Sequence, residues 1–106
     1  MASSIPARMK AIRIVAPGEK ASLELAEIET PHPGPGEILL KVEAAGVNRG
    51  DLMQVMGLYP PPPGAPETMG LEAAGTVAAV GQGVTRWNVG DRACVLVAGG
   101  GYAEYC

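Results

Sequence analysis

The chain contains no phenylalanine, one tryptophan and three tyrosines, so its core has to be assembled from Val, Leu, Ile, Ala and Met, which bury less area per residue than aromatic rings. Modest stability in isolation follows. Histidine occurs once, as His32 between two prolines, and the two cysteines, Cys94 and Cys106, have no partner at zinc-ligand spacing. That pattern argues against a metal centre built on them, and a Ser-His-Asp arrangement has no histidine near the chain's polar residues. Cys94, in an apolar run, reads as a buried free thiol. Eight Lys and Arg are scattered against eleven Asp and Glu, a net charge of −3, and offer no basic stripe to a phosphate backbone. Nucleic acid is not an expected partner. No apolar run approaches the ~20 residues that span a bilayer, and residues 1–8 lack the apolar segment of a secretory signal. No membrane association and a cytoplasmic setting are the expectation.

Glycine and proline are abundant, at 15 and 10 positions, yet 47% of the 106 residues are hydrophobic, so these are turns within one folded domain and not a disordered tract. Residues 9–16 and 22–29 read as short strands joined at Pro17-Gly18, a hairpin signal, with residues 1–8 as a flexible leader. In residues 37–47, Ile38, Leu40, Val42 and Ala44 alternate with Leu39, Lys41 and Glu43, which predicts a strand with one wet face. The period then changes. Leu52, Val55 and Met56 fall at i, i+3, i+4, with Asn48 placed to cap and Gly57 to close, so one or two helical turns are expected. Residues 70–80 and 92–97 return to strand character around the turn Gly81-Gln82-Gly83, and Gly99-Gly100-Gly101 is a tight turn. Many short strands and one short helix predict a mainly β domain, a small barrel or sandwich.

Chemistry has one place to sit. The stretch Gly46-Val47-Asn48-Arg49-Gly50-Asp51-Leu52, with Tyr59 and Glu72, gathers polar side chains at a strand-to-helix junction where backbone amides are free to meet a ligand. On residues alone plainer roles suffice: Asn48 as helix cap, Asp51 as a first-turn carboxylate, Tyr59 as a core aromatic with a wet hydroxyl.

At these residues the chain resembles the medium-chain dehydrogenase/reductase superfamily, in particular its zinc-independent, zeta-crystallin-like quinone oxidoreductase branch. The resemblance rests on Gly46-Val47-Asn48-Arg49-Gly50-Asp51-Leu52-Met53-Gln54, Gly57-Leu58-Tyr59-Pro60-Pro61-Pro62-Pro63-Gly64-Ala65-Pro66, Gly70-Leu71-Glu72-Ala73-Ala74-Gly75, Trp87-Asn88-Val89-Gly90-Asp91-Arg92 and Gly99-Gly100-Gly101-Tyr102-Ala103-Glu104-Tyr105, in order along nearly the whole chain. It implies a GroES-like, partly open β-barrel with one or two short helices over residues 9–106, the substrate-side half of an enzyme whose Rossmann nucleotide-binding domain is absent here. In the zinc alcohol dehydrogenases of the superfamily the positions of Asn48 and Leu71 hold a cysteine and a histidine ligand, so the resemblance implies no zinc. It implies instead hydride transfer from NADPH to a quinone or enone, with Tyr59 and Asn48 as catalytic hydrogen-bonding groups, and Asn48, Arg49, Asp51 and Leu52 against the nicotinamide. Glu72 is expected to be structural, a partly buried carboxylate satisfied by hydrogen bonds. The longer enzyme is expected to form a homo-oligomer, and the fragment alone to be inactive because it supplies one wall of a two-domain cleft. Two other readings stand beside this one: an enoyl or other double-bond reductase of the same superfamily, and a stand-alone GroES-like binding module.

Overall fold

The computed structural model describes residues 5–58, 60, 62–66 and 68–106. Strands β1 (Arg8–Val15) and β2 (Ser22–Glu29) form an antiparallel hairpin in the register Arg8↔Glu29 to Val15↔Ser22, as the Pro17-Gly18 turn predicts. β1 takes in Arg8, which the sequence reading left in the leader. A second sheet, in the order β3 (Ile38–Ala45), β4 (Glu72–Val80), β5 (Arg92–Leu96), is antiparallel throughout, and the one helix, α1 (Arg49–Val55), lies in the connection from β3 to β4. The two sheets do not close into a barrel, in keeping with a GroES-like, partly open β fold.

Residues 102–106 tie the sheets together. On one side the Ile12 N–H donates to Tyr102 O at 2.8 Å and the Glu104 N–H to Lys10 O at 3.1 Å. On the other the Val42 N–H donates to Glu104 O at 2.8 Å, while Leu40 and Cys106 exchange both bonds at 2.7 and 3.0 Å. The core forms beneath this seam, where Met9, Leu39 and Tyr105 pack with Ile5, Ile28, Ala78, Ala79 and Ala103 against them. With no phenylalanine available, Tyr105 is the aromatic at its centre.

Two expectations need correction, and the helix adds a finding of its own. Leu39, assigned to the wet face of its strand, is buried, because Met9 and Tyr105 pack against that side of β3, and Leu40 beside it is buried too. Cys94 is exposed and not buried, since β5 pairs only with β4 and its side chains alternate out and in, with Cys94 on the outer phase. The apolar face of α1 points outward: Leu52 and Met56 are 63% and 43% exposed, whereas the helix's buried residues are Asp51 and Gln54. The physical reason is the hydrogen bonding described next, which holds the polar side of the helix against the sheet.

Candidate functional site

The chain leaves β3 at Ala45 and enters α1 through Gly46, Val47 and Asn48. Asn48 has extended dihedrals (φ −128°, ψ 161°), as a helix cap requires. Its backbone N–H donates to Asp51 Oδ2 at 2.8 Å, while the Asp51 N–H donates to Asn48 O at 3.0 Å. Its side chain does something else: Asn48 Nδ2 donates to Glu72 Oε1 at 2.9 Å, at the start of β4. Glu72 also accepts, through its backbone oxygen, the Gly46 N–H at 3.0 Å. A side chain at position 46 would run into Glu72 Oε1, so glycine there lets the carboxylate reach Asn48.

Behind the helix lies Tyr102. Its hydroxyl donates to Asp51 Oδ2 at 2.6 Å and lies 3.2 Å from Gly46 O. Burial, the hydrogen bond to Asp51 and the repulsion of that carboxylate together push the phenol up to about 12, so it is a donor throughout the physiological range. Asp51 is 3% exposed, with its second oxygen, Oδ1, buried and unpartnered among the described residues. One turn on, Gln54 Oε1 accepts the Gly70 N–H at 3.1 Å. Gly70 has φ +109°, a conformation few L residues adopt, and a Cβ there would strike the Tyr102 backbone.

The C-terminal end of α1 is closed by the Gly57 N–H donating to Gln54 O at 3.1 Å and the Leu58 N–H to Met53 O at 2.9 Å. The Gly18 N–H, from the β1–β2 turn, takes the Val55 carbonyl at 2.9 Å.

The structure therefore brings together Gly46, Asn48, Asp51 and Glu72, and adds Tyr102 and Gln54, which sequence reasoning did not single out as site residues. The signal for Tyr102 was its place in the Gly99-Gly100-Gly101-Tyr102 turn, but nothing local linked it to a residue 51 positions earlier. Asn48, Arg49 and Leu52 sit on the exposed side of the helix start, and Asp51 sits beneath it. Tyr59 lies outside the described residues.

The donor set does not suit zinc. Asn48 offers a carboxamide, Leu71 a hydrocarbon packed against Gly50, and Glu72 one carboxylate already bonded to Asn48, where Zn²⁺ takes thiolate, imidazole and carboxylate ligands together. Among the described residues no three His, Cys, Asp or Glu gather. A cavity of about 650 Å³ lies elsewhere, between Met9, Leu39, Pro66, Val97, Tyr105 and Cys106, and Asn48, Arg49, Asp51, Leu52 and Glu72 do not line it. Burial beside this cavity pushes the Cys106 thiol up. Among the described residues, no helix is long and apolar enough to cross a membrane.

The family described as "Alcohol dehydrogenase GroES-like domain" matches residues 34–106. The rat synaptic vesicle membrane protein VAT-1 homolog is 44% identical over 86 residues, 81% of this chain and 21% of that protein. The acryloyl-coenzyme A reductase of Metallosphaera sedula is 38% identical over 99 residues, 92% of this chain and 29% of that protein. Among solved structures, a mycobacterial quinone oxidoreductase superimposes with a TM-score of 0.78 at 41% identity, over 92% of this chain and 30% of its own. The chain thus spans between a fifth and a third of the length of these relatives.

Proposed function

This chain belongs to the alcohol dehydrogenase GroES-like domain family of the medium-chain dehydrogenase/reductase superfamily, and on that premise we propose that it is the substrate-side domain of a zinc-independent reductase transferring hydride from NADPH to a quinone or enone. The proposal includes a nucleotide-binding Rossmann domain as the other wall of the cleft, in a soluble, cytoplasmic homo-oligomer. Shared length supports this, since the relatives extend well beyond the region matched here.

The observation that carries the reading is the Asn48–Glu72 bond at 2.9 Å. A carboxamide has two N–H donors, and this bond uses one of them. The other is left at the exposed start of α1 for a carbonyl oxygen that gains negative charge as hydride arrives. A donor fixed in advance stabilises such an oxygen more than a mobile one, because no reorganisation is needed during reaction. NADPH, when bound, supplies the hydride. Asn48, Arg49 and Leu52 are the proposed surface against the nicotinamide. Asp51 holds the loop from beneath, and Tyr59 is the proposed second contact to the substrate carbonyl. The mismatch between this donor set and zinc supports a route in which hydrogen bonds, not a Lewis acid, carry the developing charge.

A second reading, reduction of the double bond of an acyl thioester, is favoured by the similarity to the acryloyl-coenzyme A reductase. The deciding experiment uses the protein expressed from its native gene, with its intact mass measured first. The purified protein is then assayed for NADPH oxidation with benzoquinones, simple enones and enoyl thioesters, before and after treatment with a zinc chelator. Quinone-dependent oxidation that resists chelation is the expected result. Thioester-dependent oxidation moves the assignment to the second reading. No oxidation with any acceptor, or a mass near 10.8 kDa, removes the enzyme reading and leaves a binding module.

A further inference from the structure

Five groups around the start of α1 close a ring of hydrogen bonds. The Tyr102 hydroxyl donates to Asp51 Oδ2, which also accepts the Asn48 N–H, while the Asn48 side chain donates to Glu72 Oε1. The Glu72 backbone oxygen accepts the Gly46 N–H, and Gly46 O lies 3.2 Å from the Tyr102 hydroxyl where the ring began. Every other member belongs to the 46–51 loop or to the strand it faces. Tyr102 alone enters from outside, and its backbone is pinned on two sides, by the Ile12 N–H to its oxygen at 2.8 Å and by its own N–H to Met69 O at 3.0 Å.

We infer that Tyr102 is a positioning residue for Asn48: its hydroxyl, held by the 99–102 turn, fixes Asp51 and Gly46 on either side of Asn48 and so sets where the Asn48 carboxamide points. A tyrosine that served packing alone needs any single acceptor. This one shares the oxygen that receives the Asn48 N–H and borders the carbonyl two residues before it, so its removal loosens the loop at both flanks. The catalytic meaning of that placement rests on the proposed function, whereas the placement itself does not.

The test is nuclear magnetic resonance on the ¹⁵N-labelled 106-residue chain and its Tyr102→Phe variant. The variant keeps the ring and loses the hydroxyl, and unchanged backbone shifts in β2 and in the Gly81-Gln82-Gly83 turn, at the far end of β4 from Glu72, report that it is folded. Solvent exchange of the Asn48 backbone N–H is expected to quicken about 5- to 10-fold, the range that loss of one hydrogen-bond contribution gives. The Asn48 side-chain N–H signals are expected to move with it. Identical Asn48 signals in the two proteins overturn the inference. Should the variant not fold, the wild type decides alone. A slowly exchanging Tyr102 hydroxyl proton with a cross-relaxation peak to the Asn48 backbone N–H supports the shared-oxygen geometry, and absence of that peak overturns it. Neither readout involves cofactor or substrate, so failure of the quinone assay leaves this result standing and the reverse also holds.

Discussion

The two sides of helix α1 are an instructive contrast. Most surface helices dock an apolar stripe against the core and turn charge to water. Here the inner side presents Asp51 and Gln54, both buried and both hydrogen-bonded, while Leu52, Met53 and Met56 are exposed. A seven-residue helix is too short to persist on propensity, and burial of its apolar face is not what holds it. Directional bonds to Tyr102 and Gly70 do that instead. Apolar burial tolerates sliding, whereas a carboxylate that receives two donors defines a position, and position is what the loop carrying Asn48 needs. The outer side is then left as an apolar surface beside the polar groups of the site.

The contrast breaks most completely at Asp51. Asp51→Ala strands the Tyr102 hydroxyl and the Asn48 N–H without their shared acceptor in a partly buried setting, and a loss of about 2 to 3 kcal/mol is expected from urea denaturation. A change below about 1 kcal/mol would mean that the inner side does not hold the helix. Tyr102→Phe removes one donor and keeps the ring, so about 1 to 2 kcal/mol is expected at neutral pH. Its pH dependence sharpens the point. The phenol is raised from its ordinary value of 10.0 to about 12 on folding, so the folded state favours the protonated form. The contribution is complete below pH 10 and is lost as pH rises through about 12. Denaturation at pH 8 and pH 11.5 should therefore show the gap between wild type and Tyr102→Phe narrowing at the higher pH.

Gly46→Ala comes next. The added methyl meets Glu72 Oε1, the far end of a flexible side chain, so the carboxylate swings away at a cost of about 1 kcal/mol while Asn48 loses its partner. A crystal structure of the variant in which the Asn48–Glu72 bond persists would show that Gly46 is not what permits it.

Much of the frame was legible from local pattern. Pro17-Gly18 announced the hairpin between two short strand-like runs that became β1 and β2, and Asn48 and Gly57 marked the two ends of α1. What escaped was what pattern does not encode. The apolar spacing of Leu52, Val55 and Met56 describes a helix face correctly, but which face turns inward is decided by Tyr102 and Gly70, far along the chain. Leu39 is buried because Met9 and Tyr105, from opposite ends of the chain, cover its side of β3, and Cys94 is exposed because β5 has a single neighbour. Glu72 was expected to be a satisfied carboxylate, and Asn48 is its donor. The polar residues at the strand-to-helix junction located the 46–52 loop, while the ring through Tyr102 needed three dimensions.

The smallest expected effect lies on the outer side, and it is the control on which the contrast depends. Leu52 is 63% exposed, so Leu52→Ala removes little area from contact and should change the stability of this chain by less than about 0.5 kcal/mol. If α1 were an ordinary amphipathic helix, truncating its leading leucine would cost about 2 kcal/mol or more, as core leucines do. Urea denaturation of Leu52→Ala beside Asp51→Ala compares adjacent residues on opposite sides of one helical turn, with backbone and helix length held constant. A large loss at Leu52 and a small one at Asp51 would reverse the assignment of faces and with it the argument that hydrogen bonds place Asn48. The expected order also bears on the proposed function, because a leucine that contributes nothing to stability while standing beside Asn48 is free to serve as contact surface for a cofactor.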